Sequence, residues 1–216
     1  MTVELKFGAW YQYWPDFLSP TEAEGLVAAL TAETDWEVRE IFALGKPILQ
    51  PRLMRWGGDI DYRYSGQTLP AKALPPYLAR LMTAVSEHCQ TPFNHLVINR
   101  YRDGNDHMSL HADNEPELGR NPTIAAISLG VERVFTMVPK SKKGRRKHTQ
   151  KLKLAHGSLL VMGGRMQHTW RHAVPKASDL GERFNITFRW LKEPPRFQSN
   201  ATEGLPPSTE QIDTQT

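Results

Sequence analysis

Cysteine is almost absent: Cys89 is the only one in the chain. A single thiol excludes internal disulfides and any thiolate-rich metal centre, and it fits a reducing compartment. Long apolar runs are missing too. None approaches the ~20 residues that a membrane helix needs, so no membrane partner is expected. Met1 to Lys6 lack the basic stretch followed by an apolar one that marks a secretory leader, which sets the expectation of an intracellular protein. Internal repeats are also lacking. Acidic residues are missing from one segment. Between Pro139 and Lys153 stand Lys140, Lys142, Lys143, Arg145, Arg146, Lys147, Lys151 and Lys153 with no Asp or Glu; taking these 8 charges from the net +4 leaves −4 for the rest. Such a run reads either as a polyanion contact, where each neutralised phosphate releases counterions, or as a solvated loop.

What is present is enough apolar residue for one core. With 216 residues, 39% hydrophobic, the chain has room for one domain with a tail or a built-on lid, and two large domains are excluded. Ser19-Pro20-Thr21-Glu22 is a capping box with proline at the first helical position, and it predicts a helix from about Pro20 to Glu33. Pro75-Pro76 opens a second, with Leu78, Leu81, Met82, Val85 and Cys89 on one stripe, ending near Gln90. Both are read as outer supports. From Phe93 onward come short β-branched and aromatic segments broken by Gly, Pro, Asn and Asp, the rhythm of an antiparallel sandwich or jelly roll. Residues 39–44 and 60–65 read as further strands of a lid, bracketing a loop that holds Gly45, Gly57 and Gly58. The expected division is 1–92 for helices and lid, 93–196 for the core and 197–216 for a flexible tail, the last too poor in apolar residues to offset the entropy of ordering.

Two groups of residues stand out for chemistry. In the strand Arg183 to Trp190, alternation puts Phe184, Ile186, Phe188 and Trp190 on a core face and Arg183, Asn185, Thr187 and Arg189 on the other. That polar face reads as solvent-facing, or as a grip for a short dicarboxylate, because two arginines ~20 Å apart that reach inward leave a gap of several Å for carboxylates to fill. The other group is His111-Ala112-Asp113. In an extended segment i and i+2 point the same way, so an imidazole and a carboxylate can grip one metal ion and need only a distant third ligand. His172 is the candidate, on the segment Gln167 to His172, and His168 is its rival by strand parity. Two His plus one carboxylate suit non-haem Fe(II); zinc uses the same ligands.

Order along the chain adds to this. Asn99-x-Tyr101 ends an alternating strand, followed by His111-x-Asp113, His172 and Arg183-x5-Arg189. In these motifs, over about Arg39 to Trp190, the sequence resembles the AlkB family of Fe(II)- and 2-oxoglutarate-dependent dioxygenases, and among them most the duplex DNA-repair homologues. The resemblance implies a mainly β fold with supporting α, a double-stranded β-helix (jelly roll) core with N-terminal helices and a nucleotide-recognition lid. It implies Fe(II) held by His111, Asp113 and His172, with O2 as co-substrate. It gives 2-oxoglutarate to Arg183 and Tyr101 at the distal carboxylate and to Arg189, helped by Asn99 and Asn185, at the other, with Thr187 on the same face.

The same resemblance assigns base recognition. Leu44-Gly45-Lys46 falls where duplex-repair members carry an intercalating finger, and Arg52 falls on a backbone-contacting arginine. Tyr62 and Tyr64 would line the base pocket, with Glu115 at the base edge and Asn114 beside it. The basic segment 140–147 corresponds to a long family loop and is expected at the nucleic-acid backbone. Lys176-Ala177-Ser178-Asp179 departs from the duplex-repair pattern by lacking its basic triplet. The implied activity is oxidative demethylation of N1-methyladenine and N3-methylcytosine in DNA, releasing formaldehyde and succinate. The same chemistry on RNA and a non-catalytic nucleic-acid binder are the alternatives. A monomer is expected, in a bacterial cytoplasm, or in a nucleus if Lys142 to Lys147 is an import signal.

Overall fold

The computed structural model describes residues 1–43, 46–64, 66–142, 145–178 and 181–192. The first part of the chain runs through β1 (Thr2–Leu5), β2 (Ala9–Trp14), α1 (Pro20–Ala32), β3 (Glu40–Ala43), β4 (Lys46–Leu49), β5 (Leu53–Gly58), β6 (Tyr62–Tyr64), β7 (Gln67–Leu69) and α2 (Pro76–Cys89). The capping box forms as the sequence predicts: the Glu22 amide donates to Ser19 Oγ at 3.3 Å and the Ser19 amide to the Glu22 carboxylate at 2.9 Å. Helix α2 stops where Gln90 turns left-handed, with φ 49°.

The second part holds β8 (His95–Tyr101), β9 (Met108–His111), β10 (Ile124–Gly130), β11 (Arg133–Pro139), β12 (Gln150–Leu154), β13 (Ser158–Gly164), β14 (Trp170–Val174) and β15 (Arg183–Arg189). Strands β8, β10, β13 and β15 lie in a seven-stranded sheet of order β1-β2-β13-β10-β15-β8-β5, and β9, β11, β12 and β14 form a four-stranded one. All pairings within both sheets are antiparallel. The chain thus passes back and forth between two facing sheets, which is the double-stranded β-helix.

Two buried clusters follow from the alternation. Leu30 of α1 and Leu78, Leu81 and Val85 of α2 pack on the outer face of the large sheet against Ile98, Ile127, Ile186 and Phe188. Each such side chain contributes on the order of 1.5–3 kcal/mol on leaving water. The second cluster fills the space between the sheets, with Tyr101, Phe135, Leu160, Met162 and Trp170. Arg183, Asn185, Thr187 and Arg189, of opposite parity to Ile186 and Phe188, therefore face this inner space and not solvent. In register they lie beside Tyr101, Asn99, Val97 and His95 of β8.

Two expectations are corrected and one strand is added. The glycine loop is not a loop at Gly57 and Gly58: they end β5, which joins the large sheet beside β8. Glycine is needed there for close approach, since a Cβ at Gly57 would meet Leu74 Cδ2 at 2.5 Å. Strand β2, unread in the sequence, also joins that sheet, beside β13. Trp190 shares the parity of Phe188 but lies past the end of β15 and is 40% exposed. Leu44, Gly45, Ser65, Lys143, Gly144, Asp179 and the expected tail lie outside the described residues.

Candidate active site

Strand pairing closes the sequence gap between the candidate ligands. His111 ends β9 and is the direct cross-strand partner of His172 on β14, and their rings stand 4.3 Å apart, edge to face. Asp113 lies two residues beyond β9, with its carboxylate 3.9 Å from His111 Nε2. One ligand atom from each of the three lies within 4.8 Å of the others. His168 is not a ligand: residues Met166–Thr169 form a helical turn instead of extending β14, and its Nε2 accepts the Asn121 amide.

The protonation states suit a divalent ion. His111 Nδ1 sits 2.9 Å from the Ser109 carbonyl, which can only accept, so Nδ1 carries the proton and Nε2 presents its lone pair. Burial pushes His172 down to about 3, helped by the neighbouring His111, and burial lowers His111 as well. Burial would raise Asp113, but Arg189, His111 and His172 outweigh it and hold the carboxyl at about 2. Two neutral imidazoles and one carboxylate remain at neutral pH.

Arg189 reaches Asp113 Oδ1 at 3.2 Å and leaves its Nε and Nη1 buried without a partner. Deeper in, Arg183 is fully buried; its Nη2 donates to Ser128 Oγ at 2.9 Å, while Nε and Nη1 have no partner. Its guanidinium lies 5.1 Å from the Tyr101 ring centroid. Burial lowers the Arg183 pKa, Tyr101 counters this, and Arg133 adds to it. A buried guanidinium without a carboxylate is costly, and the orphaned donors mark where an anion fits. Arg183, Arg189, Tyr101, Asn99, Thr187 and the three candidate ligands all border one cavity. The donor set fits both groups of the expected pair: His and carboxylate for iron, and inward guanidinium donors for a dicarboxylate.

Other candidates sit in other ways. Arg52 is buried, not on the open surface. It donates to Asn99 Oδ1 at 2.6 Å and to Gln50, so Asn99 is engaged from the outer end of the site. Asn185 donates to the Ile127 carbonyl and accepts from Thr187. A larger cleft of about 1180 Å³ opens outward from His111 and Asp113 past Arg52, Tyr64, Leu110 and Glu115. Tyr62 and Tyr64 are buried with ring centroids 5.6 and 5.9 Å from the Arg189 guanidinium. Burial and the Asp113 charge raise the Glu115 carboxyl. Asn114 and Lys46 are exposed.

Sequence reading missed three residues here. Arg133 is buried and ties the Asp106 and Pro175 carbonyls together at 2.9 and 2.7 Å, bracing Tyr101 on the ring face. Gln167, also buried, accepts the Asp113 amide at 3.0 Å through Oε1 and so fixes the backbone of a candidate ligand. The only signal was its position on the segment leading to His172. Gln167→Leu is expected to weaken Mn(II) binding ~10–100-fold, as loss of an outer partner does, while Gln167→Glu, which keeps the acceptor, retains it; equal affinities in a metal titration would contradict this.

The third is His95, fully buried and edge-on to Tyr62 at 5.0 Å, with neither ring nitrogen partnered. Burial, with the Arg189 charge, pushes it down to about 3. Its folded pKa lies below its unfolded one of ~6.5, so the unfolded chain takes up the proton first and stability falls as pH drops through that window. Between pH 6 and 4 the unfolding free energy should fall more steeply in the native chain than in His95→Phe, by up to about 1.4 kcal/mol per pH unit. Parallel slopes in denaturant titrations would refute it.

Comparison with known proteins agrees with this geometry. The family profile described as "2OG-Fe(II) oxygenase superfamily" matches residues 11–189. The human protein named alpha-ketoglutarate-dependent dioxygenase alkB homolog 3 is 36% identical over 190 residues, 85% of this chain and 66% of its own length. Human DNA oxidative demethylase ALKBH2 is 36% identical over 178 residues, 78% of this chain and 68% of its own. The chain spans about two thirds of the length of these relatives. Among solved structures, that of OsALKBH1 superposes with a TM-score of 0.55 at 14% identity, covering 88% of this chain and 100% of the other, which speaks to the fold alone.

Proposed function

The chain belongs to the AlkB family within the 2OG-Fe(II) oxygenase superfamily, and from that premise we propose that it oxidatively demethylates N1-methyladenine and N3-methylcytosine in DNA. The observation that carries this is a single buried cavity with His111, Asp113 and His172 on its wall and the unpartnered donors of Arg183 within it. Fe(II) with 2-oxoglutarate, when bound, supplies the O2-dependent hydroxylation of an N-methyl group, whose product releases formaldehyde. In this reading His111, Asp113 and His172 would be the protein's three ligands to the metal. Arg183, over Tyr101, takes one carboxylate of 2-oxoglutarate, and Arg189 orients Asp113 and meets the other end. Phe135, Leu160 and Met162 line the same cavity and keep water from it.

Base recognition falls to the outer cleft. N1-methyladenine and N3-methylcytosine are cations that each keep an exocyclic amino donor, so the Glu115 carboxylate matches both charge and hydrogen bond. Tyr64 lines this cleft and offers it a ring, with Tyr62 buried behind it at 5.7 Å between centroids, and methylated bases pair poorly, which lowers the cost of extruding them. The basic segment, of which Lys142, Arg146 and Lys147 are exposed among the described residues, suits the sugar-phosphate backbone. DNA is favoured over RNA because relatives of this identity carry the name DNA oxidative demethylase. The test is formaldehyde release from oligonucleotides carrying each lesion, with Fe(II), 2-oxoglutarate and O2, DNA and RNA in parallel. The expected result is product from DNA; product from RNA alone would reassign the substrate, and none from either would overturn the proposal.

A further inference from the structure

Trp190 is the one exposed tryptophan among the described residues. It borders a surface cleft of about 830 Å³ with Arg120, Lys192, Asn121 and Thr91, and no Asp or Glu is among the residues lining it. Backbone contacts hold the cleft's wall together. The Lys192 amide donates to the Glu117 carbonyl at 2.9 Å, its side-chain stem lies over Gly119, where a Cβ would meet Cε at 2.6 Å, and the Asn121 amide is held by His168. The lining offers no carboxylate, imidazole or thiol to a metal, and its apolar part, Pro92, Leu118 and Pro122 beside the Trp190 indole, is shared with the guanidinium of Arg120 and the ammonium of Lys192. It matches an unpaired base, which stacks on any aromatic face, joined to phosphates that take the cations.

Position agrees with that chemistry. Trp190 directly follows Arg189, past the end of β15 and with the opposite parity, and Arg120 is five residues past Glu115, so the cleft is reached round the end of that strand and its Arg120 lies no more than ~18 Å from Glu115. At ~3.4 Å per stacked nucleotide this corresponds to about five nucleotides. We infer that the cleft is a second contact for single-stranded nucleic acid flanking the lesion, with Trp190 stacking a base and Arg120 and Lys192 taking its phosphates. The inference rests on the nucleic-acid reading above and adds single-strand recognition to it.

The experiment measures binding of fluorescent 15-nucleotide and 5-nucleotide single strands with the same central lesion, deoxy and ribo, to the full chain loaded with Mn(II). Trp190→Ala should weaken the 15-mer about tenfold, from the loss of one stacked base, and the 5-mer less than twofold. Trp190→Phe should restore most of the loss. Arg120→Gln with Lys192→Gln should lower the slope of log K against log salt by about 1.4, or 0.7 per contact. If the native chain binds neither strand, the nucleic-acid reading itself fails. If it binds and the variants keep its affinity and slope, or only the charge variant responds, the stacking site is wrong while that reading stands.

Discussion

His111→Ala is expected to remove turnover, lowering product release by more than ~100-fold, because losing a direct ligand must cost more than the ~10–100-fold set by a supporting partner. His111 is the cleaner position for this test. Its side chain is partly exposed and its Nδ1 bond to Ser109 is local, so its removal leaves no buried charge behind. Asp113→Ala is different, since it strips Arg189 of its buried counter-charge. Breaking such a pair costs ~3–5 kcal/mol, which in a chain of this size lowers Tm by on the order of 10 °C. Both variants should lose metal-dependent turnover and Mn(II) affinity, but only Asp113→Ala should melt early. A His111→Ala protein that still releases formaldehyde would mean that the metal sits elsewhere.

Arg183→Met is expected to raise the KM for 2-oxoglutarate by on the order of 10²–10³-fold, the effect of leaving one carboxylate unpaired in a dry pocket. Metal affinity should stay within about threefold, since Arg183 faces Ser128 and Tyr101 and none of the three ligands. The stability change separates this role from a structural one. With two of its nitrogens unpartnered, Arg183 is a buried cation whose replacement by an apolar side chain of similar length should leave the melting temperature of the ligand-free protein unchanged or raise it. An unchanged KM would remove Arg183 from the cofactor site; a collapse in Tm would make it a structural residue.

Local rules made much of this legible. The Ser19 to Glu22 capping box needs only its own four residues, and the alternation of β15 needs only the period of a strand, so the first helix and the shared face of Arg183 and Arg189 can be read directly, while the choice between solvent and the inner space for that face needs the second sheet. The pair His111-x-Asp113 follows from the same period. Choosing His172 over His168 needed the helical turn at Met166–Thr169, which shifts the start of β14 and which parity cannot foresee. Contacts remote in sequence were invisible for the same reason. Gln167 meets Asp113 across 54 positions, and Arg52 meets Asn99 across 47. A backbone-contacting arginine and a buried one look alike in sequence. At Gly57 and Gly58 the glycines suggested a turn, yet the structure uses their missing side chains so that β5 can pass close to Leu74 and His95.

The central claim is that one ion is shared by His111, Asp113 and His172 with a dicarboxylate anchored on Arg183. A crystal structure of the full chain with Mn(II) and 2-oxoglutarate, grown without Fe(II), measures this directly. The account predicts metal bonded to His111 Nε2, an Asp113 oxygen and His172, with a 2-oxoglutarate carboxylate within hydrogen-bond distance of Arg183 Nε or Nη1. Metal bound without His172, or 2-oxoglutarate lying away from Arg183, would contradict it.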